Sequence, residues 1–135
     1  MNQWELIILM PNCEEKYLNP TWEQIKKHLE YVDGDHLDNL VLTNPSIGEM
    51  IVCGGNKIRG KSLYGVSCFP TSGNGYIEYN LLNPEVKTRD EEFEEITTQG
   101  VGVHHNKEFL VEFDDMLKAF EVFYRTGKLS EQDWF

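Results

Sequence analysis

An α+β fold, an antiparallel meandering sheet with two amphipathic helices packed on it, follows from three features of this 135-residue sequence. Two stretches, one towards each end, repeat apolar residues at three- and four-residue steps, the spacing of one helix face. Between them lie short β-rich apolar runs set apart by Gly, Pro, Asn and Ser. No helical pattern separates those runs, so they pair as consecutive hairpins, and a parallel, doubly wound sheet with its nucleotide crevice is disfavoured.

The elements follow in order. Trp4 to Met10 is a compact apolar run stopped by Pro11-Asn12 and reads as a buried first strand, with a turn after it. Asn19-Pro20-Thr21 opens a helix, with Asn19 or Thr21 as cap and Pro20 suited to the first helical position. Trp22, Ile25, Leu29 and Val32 form its apolar stripe, and Asp33-Gly34-Asp35 ends it. Strands are then expected at Leu40–Leu42, Met50–Cys53, Leu63–Phe69 and Tyr76–Asn80. The turns between them fall at Asn44-Pro45-Ser46, Gly54-Gly55-Asn56 and Pro70 to Gly75, with Asn83-Pro84 after the last. Glu85 to Gln99 is the least hydrophobic stretch and reads as a solvated loop. Phe109–Val111 is a late strand, and Phe113, Met116, Leu117, Phe120, Phe123 and Tyr124 mark a second helix that Gly127 terminates.

The length suits one domain over residues 1–135, and a 40% hydrophobic fraction provides for one core. Against 23 acidic side chains stand 12 basic ones, a formal charge of −11. That field repels nucleic acid and anionic membranes and favours a basic protein partner. The N-terminus has neither a basic n-region nor an apolar stretch long enough for a signal or a membrane span, so a cytoplasmic protein is expected, with the oligomeric state open and a monomer favoured. Cys13, Cys53 and Cys68 are widely spaced and lack a Cys-x-x-Cys pair, which predicts reduced, buried thiols with no metal, disulfide or cofactor.

Gly55-Asn56-Lys57-Ile58-Arg59-Gly60-Lys61-Ser62 matches the G-x-x-x-x-G-K-[ST] phosphate loop letter for letter. A phosphate loop must open a helix, whose first amides hold the anion, and here β-rich Leu63-Tyr64-Gly65-Val66 follows instead. The segment therefore reads as a basic, glycine-rich hairpin tip. His104-His105 is the other catalytic or metal candidate, but adjacent side chains of an extended chain point to opposite faces. A small enzyme built on either feature is the alternative to a binding protein. No nucleophile elbow surrounds any Ser or Cys.

Asp90-Glu91-Glu92-Phe93-Glu94-Glu95 concentrates like charge around one aromatic, a combination that a basic partner would relieve. The chain also resembles the Imm1 family of bacterial immunity proteins. The resemblance rests on Asn19-Pro20-Thr21-Trp22, Met50-Ile51-Val52-Cys53-Gly54-Gly55, Gln99-Gly100, Val111-Glu112-Phe113, Ala119, Phe120-x-x-Phe123, Thr126-Gly127-Lys128-Leu129 and Trp134. After the paired glycines this chain is extended and basic, with Lys57, Arg59 and Lys61. The resemblance implies a sheet-rich α+β protein that blocks a cognate toxin, commonly a nuclease or deaminase, by occluding its active site. Charge then nominates the contacts: Asp90, Glu91, Glu92, Glu94 and Glu95 with Phe93, followed by Glu78, Glu85 and Asp35.

Overall fold

The computed structural model describes residues 3–10, 13–71, 77–86 and 93–135. β1 (Glu5–Met10) pairs antiparallel with β2 (Cys13–Leu18) on one side and with β3 (Asn39–Asn44) on the other. From β3 the sheet meanders through β4 (Gly48–Ile58) and β5 (Lys61–Pro70). The far edge of β5 is shared by two short strands, β6 (Tyr79–Asn80) and β9 (Leu110–Val111). β7 (Phe93–Thr98) and β8 (Val101–Asn106) form a separate hairpin. The helices are α1 (Trp22–Glu30) and α2 (Phe113–Thr126), so the α+β architecture read from periodicity is the one observed.

Register explains where the core sits. Leu6, Leu42, Met50 and Cys68 form one row across the sheet, and Ile8, Leu40, Val52 and Val66 form the next. All eight are buried, and they meet Ile25 and Leu29 of α1 and Met116, Ala119, Phe120 and Phe123 of α2 in one cluster. The helices touch through stacked Trp22 and Tyr124, whose ring centroids lie 6.1 Å apart, and the Tyr124 hydroxyl donates to the Pro20 carbonyl (2.8 Å). The chain terminus extends the sheet: Asn80 and Phe135 exchange backbone hydrogen bonds of 2.9 Å in each direction.

Local chemistry sets the helix ends. Thr21 caps α1 in a capping box, its hydroxyl accepting from the Gln24 amide (3.2 Å) while the Gln24 side chain accepts from the Thr21 amide (2.9 Å). Pro20 therefore precedes the cap instead of occupying the first helical position. α1 stops at Glu30, before the expected Asp33-Gly34-Asp35, and Val32 reaches the core from just beyond it. Gly127 ends α2 in the left-handed conformation, as its position requires.

Other expectations are corrected. Cys13–Leu18 is a strand, not a turn, and its Glu14, Glu15 and Lys16 are the charges that keep an edge strand from recruiting another. Gly54-Gly55-Asn56 is a bulge inside a continuous β4, while the turn itself is Arg59-Gly60, both at positive φ. Part of the supposed loop from Glu85 to Gln99 is β7, with Ile96 fully buried. Of Tyr76–Asn80 only Tyr79 and Asn80 are strand; Ile77 and Glu78 are not, and Tyr76 lies outside the described residues. Cys68 is buried, but Cys53 is half-buried and Cys13 exposed.

Candidate interaction surface

The β7–β8 hairpin turns at Gln99-Gly100, whose φ of 50° and 80° make the two-residue turn favoured between twisted strands. Three contacts fasten it to the face of the sheet opposite the helices. Buried Asp38, just before β3, accepts the Gln99 amide on one carboxylate oxygen (3.0 Å) and the Gly100 amide on the other (2.7 Å). Asn56, which follows the bulged Gly55 and pairs with Leu63, donates to the Thr97 hydroxyl (3.0 Å) and accepts the Thr97 amide (2.9 Å). Ile96 packs where Gly54 and Gly65 leave room: its Cδ1 lies 3.0 Å and 3.5 Å from where their Cβ atoms would be. An Arg59–Glu94 ion pair ties the β4–β5 tip to the same hairpin.

Pairing of Ile96 with Val103, Thr98 with Val101 and Glu94 with His105 places those six side chains on the face turned to the sheet. Phe93, Glu95, Gly102, His104 and Asn106 take the other face, as does Thr97, whose hydroxyl is still within reach of the Asn56 side chain. Three apolar side chains of the hairpin stay open to solvent, Phe93 at 57%, Val101 at 61% and Val103 at 38% exposure. Glu95 lies across Gly102, where a Cβ would collide with its carboxylate.

The charge-nominated residues divide accordingly. Phe93, Glu94 and Glu95 share one strand, with Glu94 already engaged by Arg59. Asp90, Glu91 and Glu92 lie outside the described residues. Glu78 stands exposed before β6, and Glu85 sits in the turn after Asn83, whose side chain accepts its amide (2.9 Å). Burial and the neighbouring carboxylates Glu112, Asp114 and Glu85 push the Asp115 carboxyl up, which puts Glu85 in the field at the start of α2. Asp35 belongs to the loop after α1, so these three are on elements separate from β7.

That loop is organised by Asp33. One of its oxygens accepts the amides of Asp35 (2.9 Å), His36 (2.8 Å) and Leu37 (3.3 Å), and the other faces His36 Nδ1 at 3.0 Å. Partial desolvation works to raise the Asp33 carboxyl, but the His36 ring and the three amides together hold it at about 2. The hydrogen bond to Asp33, with the charges of Asp33 and Asp35, raises His36 above its ordinary 6.5. The Asp33 contribution is present above 3.8 and lost as pH falls towards 2; the His36 contribution is present below 6.5 and lost as pH rises through its raised value. Proton NMR titration should give His36 a pKa above that of an ordinary histidine, and Asp33→Asn should return it towards 6.5. An unchanged His36 titration in that variant contradicts the pairing.

The two catalytic alternatives have a structural reading. The Gly55–Ser62 segment runs up β4, turns at Arg59-Gly60 and descends β5, so strand stands where a phosphate loop needs a helix N-terminus. Two of its three cations are engaged as well, Arg59 by Glu94 and Lys61 by Glu112 at 3.7 Å. His104 and His105 take opposite faces of β8. Among the described residues, no three His, Cys, Asp or Glu side chains come together as a metal site, and no helix is long and apolar enough to cross a membrane. Compared with family models, characterised proteins and solved structures, the chain matches none.

Proposed function

We propose that this chain is a cytoplasmic immunity protein of the Imm1 kind, which binds the basic catalytic domain of a cognate nuclease or deaminase toxin and occludes its active site. The observation that carries this reading is a charge of −11 joined to a fastened hairpin that keeps Phe93, Val101 and Val103 in solvent. Exposed apolar side chains, here on both faces of the hairpin of an acidic chain, suit a protein contact, with an aromatic supplying affinity and the charges supplying rate. A toxin that grips nucleic acid presents a basic cleft, and an acidic surface is steered into it. The motifs shared with the Imm1 pattern lend support, while the weight rests on charge and surface.

In this reading Phe93 is the anchor and Glu95 a steering carboxylate, with Asp90, Glu91, Glu92, Glu94, Glu78, Glu85 and Asp35 adding to the field. Co-expression tests it: the toxin-like frame adjoining this gene should kill cells when expressed alone and spare them when this chain is present. Phe93→Ala should weaken the complex by roughly 10- to 30-fold, the scale of an aromatic anchor. Continued killing beside the intact protein, or the lack of any such frame, sinks the proposal.

A further inference from the structure

On the assumption that the chain binds a basic toxin domain, we infer that the helix-free face of the main sheet, at Ile7, Val41 and Ile51, is part of the surface that domain covers. An antiparallel sheet with one wet face alternates apolar and polar residues, whereas strands covered on both faces read as unbroken apolar runs. β1 reads Leu6-Ile7-Ile8-Leu9, β3 Leu40-Val41-Leu42 and β4 Met50-Ile51-Val52. One parity of these runs fills the core under the helices. The other brings Ile7, Val41 and Ile51 into register in a single row on the opposite face, flanked by Lys16 and Ser67. Ile7 and Ile51 remain partly exposed there although they sit on interior strands, and Val41 between them is already buried at 7% exposure.

The β7–β8 hairpin occupies one end of that face, at Cys53 and Gly65, where the ring of His105 lies 3.7 Å from the Cβ position of Gly65. Val101 and Val103 point to the same side of the hairpin as His105 and are still open to solvent, which continues the apolar surface from the sheet onto the hairpin.

Charge selects the occupant. Strand parity puts Glu5, Glu14 and Glu49 on this face around the apolar row. Lys16 lies between two of them, 3.9 Å from Glu5 and 3.7 Å from Glu14, which leaves the face negative on balance. A second copy at −11 would bring carboxylates onto carboxylates; a domain with Lys and Arg around an apolar patch meets the face with opposite charge.

The test uses the whole chain and the purified catalytic domain encoded by the adjoining toxin-like frame. Ile51→Lys should weaken binding at least about 100-fold, because it removes a central contact and sets a cation against a basic partner. Glu5→Gln with Glu49→Gln, which leaves the apolar row intact, should slow association roughly tenfold at low salt and flatten its dependence on ionic strength. Val122→Lys on α2 should leave both quantities unchanged. Native circular dichroism and melting establish that each variant folds. If the wild type binds and both open-face variants bind equally well, this inference fails while the proposed function stands. If the wild type does not bind, both fail. A dimer of the free chain that Ile51→Lys abolishes puts a second copy on the face and also overturns the inference.

Discussion

Ile96→Ala is expected to lower unfolding stability by about 2–5 kcal/mol, the range for truncating a fully buried Ile. The upper half of that range is favoured here by what surrounds the side chain. Ile96 is completely buried, and it rests on the backbone of Gly54 and Gly65, with Cδ1 only 3.0 Å and 3.5 Å from the vacant Cβ positions. Glycines have no side chain with which to fill the space left by a shortened neighbour, so most of the cavity persists. Ile96 is also the one fully buried side chain of a two-stranded hairpin, and two strands alone are marginal in water. A urea titration should therefore show a lower midpoint, and hydrogen exchange should show protection lost from β7 and β8 before β3, β4 and β5. A loss below about 1 kcal/mol, with β7–β8 protection intact, would mean that the Asp38, Asn56 and Arg59 contacts hold the hairpin without Ile96.

Gly55→Ala should be the most damaging conservative change in the segment that imitates a phosphate loop. Gly55 has φ of 88°, and a Cβ there would overlap the Val32 carbonyl oxygen, a backbone atom that cannot rotate aside. Gly60 is the control, since its φ is 85° and nothing lies within 4 Å of its Cβ position. Gly60→Ala carries only the positive-φ penalty of about 1–2 kcal/mol. Gly55→Ala carries that penalty and must also part β4 from the α1–β3 loop, so its loss should exceed that of Gly60→Ala by at least about 1 kcal/mol, the scale of overpacking a filled interior. Were the glycines there to cradle phosphate, both variants would impair nucleotide binding and neither would need to melt the protein. Thermal unfolding of the two separates these accounts, and equal melting temperatures would contradict the packing role.

Much of the fold was legible because one periodicity dominates each element. The rows Leu6, Leu42, Met50, Cys68 and Ile8, Leu40, Val52, Val66 come from apolar runs that any strand reading would select. The capping box at Thr21 and the stop at Gly127 are local signals that need no tertiary information. β2 was hidden because an edge strand is defended by charge, and Glu14-Glu15-Lys16 has no apolar alternation to read. β7 was hidden for a different reason. Its sheet-facing positions are Glu94, Ile96 and Thr98, so a single aliphatic carries the inward face, while Glu94 is satisfied by an arginine 35 residues away. Asp38 holds amides 61 and 62 residues along the chain, and no local pattern marks such a carboxylate as different from a solvated one. Of the candidate surface, Phe93 and the excess of carboxylates were visible in the sequence. That Gln99-Gly100 is a tight turn, and that Val101 and Val103 stay open, required the hairpin to be seen against the sheet.

The proposed occupation of a basic toxin domain by this acidic chain is tested most directly by titrating the catalytic activity of a cognate toxin domain with purified chain, at low salt and again at physiological salt. The expected result is loss of activity that ends at one chain per toxin domain, with association that slows as salt rises. Full toxin activity in the presence of a several-fold molar excess of folded chain would contradict it.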